Sequence, residues 1–113
     1  MTRILISLAL LVSATTQAEI TSTNVLVTDV MMYAKNDDYA ADQCLVYVNE
    51  PVESRCGSGN RYVIKTNKRV GEMMCSFALS AFVANKKVTI GSENKACDVN
   101  LSAPFARYIK LSN

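Results

Sequence analysis

Between Thr66 and Gly91 the apolar residues Val70, Met74, Phe77, Ala78, Ala81 and Phe82 recur at i, i+4, i+7, i+8, i+11 and i+12. That spacing places them on one face of a helix. Asn67 stands where an N-cap belongs, Glu72 lies near the positive first turn, Asn85 suits a left-handed terminus, and Lys86 and Lys87 follow at the negative end. The pattern predicts one helix near residues 69 to 84. A second apolar strip, Cys75, Leu79 and Val83, accompanies the first, and only Ser76 and Ser80 mark a polar side. A helix apolar nearly all round is buried on more than one face. The second strip calls for cover, either by another subunit or by the Asn94 to Pro104 loop, the loop being the simpler cover.

Around this helix the periodicity changes to that of strands. Asn24 to Tyr33 is rich in β-formers and long enough to bend across a barrel, and Lys35-Asn36-Asp37-Asp38 is a turn cluster. Gln43 to Asn49 and Tyr62 to Lys65 are two further strands. The segment from Glu50 to Asn60 between them is too long and too rich in breakers for a tight hairpin. After the helix come Lys87 to Ile90, ended by Gly91-Ser92-Glu93-Asn94, and then Phe105 to Leu111. In that last strand Phe105, Ile109 and Leu111 share one parity, and Tyr108 and Lys110 the other. Three strands, a helix and two strands make a mainly β chain with one helix. The order is that of the five-stranded Greek-key barrel of the OB-fold, with the helix plugging the barrel's bottom. An open α+β sandwich of the same elements is the alternative.

The N-terminus changes where this domain is expected to work. Arg3 precedes the apolar run Ile4 to Val12, and small and polar residues lead to Thr16-Gln17-Ala18. This is the layout of a secretory signal peptide over residues 1–18, with cleavage expected after Ala18 and a secreted or periplasmic bacterial destination. Ser7, Ser13, Thr15 and Thr16 interrupt the run well before the ~20 apolar residues that a spanning helix requires, and no later stretch is long enough either. Taking 18 residues from 113 leaves 95, one domain over 19–113. Among its 11 basic and 10 acidic side chains, Lys65, Lys68 and Arg69 come nearest to a basic cluster and read as solvated surface, so nucleic acid is not an expected partner.

Four cysteines, Cys44, Cys56, Cys75 and Cys97, fit an exported chain with oxidised thiols. Three pairings are open. Spacing favours Cys44 with Cys56, which would pin the Glu50 to Asn60 loop, and Cys75 with Cys97. The chain has no histidine and no Cys-x-x-Cys, which argues against zinc. Asp37, Asp38 and Asp42 lack the glycine and glutamate spacing of a calcium loop. Without histidine no hydrolytic triad of the usual kind can form, and Gly57-Ser58-Gly59 lacks the lysine and helix of a phosphate loop. No cofactor is expected, and the chain reads as a binding protein rather than an enzyme.

The run Glu72 to Ile90, with Cys97 and the closing strand Ala106 to Leu111, resembles the C-terminal half of the B subunits of bacterial A-B toxins, namely the cholera, heat-labile and subtilase types. The likeness is a pattern of elements over residues 43 to 111. It implies a non-enzymatic, lectin-like subunit, assembled as a ring of five, that binds cell-surface glycans. The chain departs from that pattern in having no tryptophan, a common sugar-stacking residue. Tyr33, Tyr39, Tyr47 and Tyr62 are the candidates to stack on sugar faces, with Arg55, Asn60 and Arg61 supplying hydrogen bonds. Packing within the strands competes with that role for Tyr47 and Tyr62. A monomeric accessory or inhibitor protein holding a protein partner is the other class of function.

Overall fold

The computed structural model describes residues 19–33, 43–98 and 101–113. Five strands and one helix follow in the order β1 (Glu19–Tyr33), β2 (Gln43–Val48), β3 (Arg61–Lys65), α1 (Arg69–Ala84), β4 (Lys87–Asp98) and β5 (Ala103–Leu111). The strands close into a barrel in the order β1-β2-β3-β5-β4. Every neighbouring pair is antiparallel except β3 and β5, which run parallel through Val63 and Phe105. The chain is thus mainly β with one helix, as its periodicity predicts.

Strand β1 is longer than its β-forming run because it serves two partners. Residues from Glu19 to Leu26 pair with β4, and those from Val27 onward pair with β2. Asn24 takes a left-handed conformation at the bend (φ 59°), where the register to β4 slips. A polar residue that tolerates αL suits that corner. Asn49 fastens the turn at Leu26 with a donated and an accepted bond, 3.1 Å from its N–H to the Leu26 carbonyl and 3.0 Å from the Leu26 N–H to its Oδ1.

Inside the barrel Val25, Val27, Val46, Val48, Tyr62, Ile64, Val88 and Ile90 meet the inward side of α1. The helix bounds agree with the sequence, and so does its end. Asn85 is left-handed (φ 56°), and the Lys86 N–H reaches the Ala81 carbonyl at 2.9 Å, closing the helix in a Schellman pattern. Its start and its face differ. The N-cap is Lys68, not Asn67, and no side chain caps it. The buried positions are Gly71, Cys75, Ala78 and Ala81 with Met74 half-buried, whereas Val70, Phe77 and Phe82 are exposed. Two contacts rotate the helix away from its expected face. Gly71 lies against the end of β3, where a Cβ would stand 1.7 Å from the Lys65 carbonyl oxygen, and Cys75 is bonded into the core.

The disulfides correct the expected pairing. Cys44 bonds Cys75 (Cα–Cα 6.2 Å) and Cys56 bonds Cys97 (5.4 Å). Cys44 is a core residue of β2, so the first bond joins the helix to the barrel wall, and the second ties the 51–60 loop to the far end of β4. Proximity along the chain suggested neighbours, but the inward side of α1 packs on the barrel core and sets Cys75 beside Cys44. Of the second apolar strip, Cys75 is buried in the core, whereas Leu79 and Val83 are exposed among the described residues. Strand β4 also runs through the expected stop at Gly91 to Asn94, absorbing it in register shifts against β5. One shift sets Gly91 opposite Tyr108 and Ser92 opposite Ala106, so Arg107 is an extra residue. The simple parity of β5 therefore fails: Ile109 packs on the barrel core and Phe105 on a second cluster outside it.

Candidate binding site

On the outer side of the barrel, cross-strand register assembles rows of side chains from β1, β2, β3 and β5. One row is Met31, Leu45, Val63 and Phe105, and the next is Asp29, Tyr47 and Arg61. Residues opposite one another in register share a face, about 5 Å apart. Leu45, Val63 and Ala103 are buried there as a second small core, against which Tyr47, Leu101 and Phe105 pack. Asp29 and Met31 are exposed beside it, and Lys65 places its ammonium 4.9 Å from the centre of the Phe105 ring.

Leu101, just before β5, packs on this face, and both its carbonyl and its N–H are held. Arg61 Nη2 donates to the Leu101 carbonyl, and the Leu101 N–H donates to Asp98 Oδ1 at 3.0 Å. The other carboxylate oxygen of Asp98 accepts from Gln43 Nε2 at 2.7 Å. Arg61, Leu101, Asp98 and Gln43 thus form a polar chain from β3 back to β2, which presses Leu101 onto the outer cluster. The Arg61 Nε is buried without a partner, so this guanidinium is committed to holding Leu101. A charged donor bound to a backbone carbonyl contributes roughly 1.5–3 kcal/mol.

The residues expected to bind therefore separate. Tyr47 and Arg61 face each other across β2 and β3, and Asn60 adjoins them with its Nδ2 donating to the Val48 carbonyl at 3.0 Å. Tyr33 ends β1 in register with Gln43, and Arg55 is exposed in the 51–60 loop. Tyr39 lies outside the described residues. Tyr62 is a correction: it is fully buried inside the barrel, and its hydroxyl lies 2.7 Å from Ser22 Oγ across the interior. The strand alternation that turns Arg61 outward turns Tyr62 inward, so it meets no solvent-borne ligand. Burial raises its pKa above the ordinary 10, the Ser22 hydrogen bond lowers it, and the nearby Tyr108 adds to the rise, with burial prevailing.

Sequence reading missed Asp29, Met31, Gln43, Leu101 and Phe105. Their shared surface arises only from the pairing of strands far apart in the chain. The signal present in the sequence was alternation, which marks Asp29 and Met31 as one parity of β1 but does not say what lies beside them. Among the described residues no cluster of three or more acidic or thiol groups could hold a metal ion. No helix among them is long and apolar enough to cross a membrane. The chain matches no family model, no curated protein and no solved structure.

Proposed function

We propose that this protein is an exported, non-enzymatic binding module on an OB-type barrel, and that its ligand is a glycan recognised at the Asp29, Tyr47 and Arg61 row. The fold reading rests on strand order β1-β2-β3-β5-β4, the parallel β3 and β5 pair and a helix between β3 and β4, the arrangement of the five-stranded Greek-key barrel. Export is supported by the two disulfides and the signal-like residues 1–18.

The observation that carries the glycan reading is the register that sets Tyr47 between Arg61 and the exposed Asp29 on an outer face, with the Arg61 guanidinium engaged at Leu101 and Asp29 left to meet a ligand. Sugar rings present apolar C–H faces to an aromatic and hydroxyls to acceptors such as Asp29. The resemblance to toxin B subunits, with its ring of five, is the same reading at the level of assembly. A glycan array with the oxidised protein is the direct test. Saturable binding that Tyr47→Ala removes, while the melting temperature stays within a few degrees, supports the proposal. A silent array, or binding indifferent to both Tyr47→Ala and Asp29→Ala, refutes it. Light scattering of the same sample then separates a pentamer from a monomer that serves a protein partner.

A further inference from the structure

The outward side of α1 has a composition that solvent exposure does not explain. Val83 is 77% exposed, Val70 67% and Met73 63%, and Leu79, Phe82 and Phe77 are each more than a third exposed. Opposite the buried positions Gly71, Cys75, Ala78 and Ala81, the free half of the helix carries five of these six side chains, with Ser76, Ser80, Arg69 and Glu72 among them. Phe82 is exposed near the C-terminal end. An open depression of about 500 Å³ runs along this side, bounded by Arg69, Glu72, Met73, Ser76, Phe77 and Ser80.

Charge says what kind of surface would cover it. Residues 68 to 87 hold four cations, Lys68, Arg69, Lys86 and Lys87, against the single anion Glu72, a net charge of +3. The whole chain is only +2, so the remainder carries −1. The cations stand at the two ends of the helix with the apolar side chains between them. Two copies meeting on this face would bring +3 against +3, which disfavours self-association there. Val70, Met73 and Phe77 stand at i, i+3 and i+7, the stripe that a partner groove reads. Leu79 and Val83 carry the apolar surface on to the other flank of the helix, a breadth that suits a helix lying in a soft interface with its cations reaching the head groups.

We propose that the outward face of α1 is a docking surface for an anionic lipid bilayer, used by the folded protein lying on the membrane rather than through it. Val70, Met73, Phe77, Leu79 and Val83 enter the head-group boundary, while Lys68, Arg69, Lys86 and Lys87 meet lipid phosphates. The surface is separate from the Tyr47 row and does not depend on the glycan reading.

The test is flotation of the oxidised protein with phosphatidylglycerol and phosphatidylcholine mixed vesicles, and with phosphatidylcholine alone. Two variants accompany it, Val70→Gln/Met73→Gln/Val83→Gln and Lys86→Gln/Lys87→Gln, each with the same N-terminus by mass and folding verified by melting. We expect binding to the mixed vesicles that weakens with added salt, and far less to the neutral ones. The Lys86→Gln/Lys87→Gln variant should bind about thirtyfold more weakly, since each of its two lost cations contributes about 1 kcal/mol near an anionic surface and 1.4 kcal/mol is a factor of ten. The triple variant should be released. No flotation, equal flotation with neutral vesicles, or undiminished flotation of a well-folded triple variant each overturns the proposal. So does a wild-type oligomer that the triple variant dissociates while vesicle binding persists, because the face would then seat a second copy.

Discussion

The hydrogen bond between Ser22 and Tyr62 offers a measurement of how the barrel interior is held. Tyr62 extends from β3 across the core, and its hydroxyl meets Ser22 Oγ at 2.7 Å, with Ser22 only 8% and Tyr62 0% exposed. Each hydroxyl satisfies the other where water does not reach. Tyr62→Phe leaves the Ser22 hydroxyl buried and unpaired, and Ser22→Ala does the same to the Tyr62 hydroxyl. Either loss should cost about 1–3 kcal/mol. Removing both leaves two apolar groups of nearly the original shape, for which the cost falls toward zero. The double variant should therefore be more stable than the sum of the singles by at least about 2 kcal/mol, toward the upper end of the range seen for contacting pairs. In a domain of this size each kcal/mol moves the melting temperature by about 4–8 °C. Urea denaturation of the oxidised wild type, both singles and the double gives the four corners of the cycle. Additivity within about 0.5 kcal/mol would falsify the bond across the barrel.

Other consequences are open to direct measurement. Because burial raises the Tyr62 pKa in the folded state, the native protein holds that proton more tightly than the unfolded chain, so stability is unaffected well below pH 10 and falls as pH rises through and beyond it. Tyr62→Phe should flatten that alkaline decline, and an unchanged slope would show that another group causes it. Gly71→Ala should destabilise by about 3 kcal/mol or more, since the new Cβ would overlap the Lys65 carbonyl and only a backbone shift relieves it. A melting temperature equal to wild type would contradict that close approach. Asp98→Ala removes the acceptor shared by Leu101 and Gln43, and a loss of about 2–3 kcal/mol by denaturant titration is expected. Partial reduction with mass mapping should find Cys44 joined to Cys75 and Cys56 to Cys97, each closure contributing about 4 kcal/mol for loops of 31 and 41 residues.

The elements were written in local patterns, and their assembly was not. The helix bounds followed from periodicity and Asn85, and the strand centres from β-branched runs. The face of the helix did not follow, because Val70, Phe77 and Phe82 out-compete Gly71 in any hydrophobicity count, while the decisive fact is that only glycine fits against Lys65. The cysteine pairing was equally hidden, since nearness in sequence says nothing of which barrel residue meets the inward side of the helix. At the candidate site, Tyr47 and Arg61 were recognisable by type and their register made them neighbours. Tyr62 shares their strand pair but has the opposite parity, and a bulge in β1 between Val27 and Asp29 was needed to bring Asp29 to the outer side. Nothing local announces such a slip. The exposed helix strip was visible as an apolar excess, but which of its residues are buried depends on how the helix packs on the barrel.

The two disulfides interleave along the chain, 44 to 75 and 56 to 97, rather than closing one after the other. A single peptide-bond cut anywhere from Cys44 to Cys97 therefore releases no fragment. A cut before Cys56 is bridged by the first disulfide, one after Cys75 by the second, and one between Cys56 and Cys75 by both. Sequential pairing would have let a cut in that middle stretch split the protein into two pieces. Under proteolysis this makes a nick a local injury: the barrel strands and the helix stay covalently tethered, so the wounded molecule can re-form its core without having to find its other half.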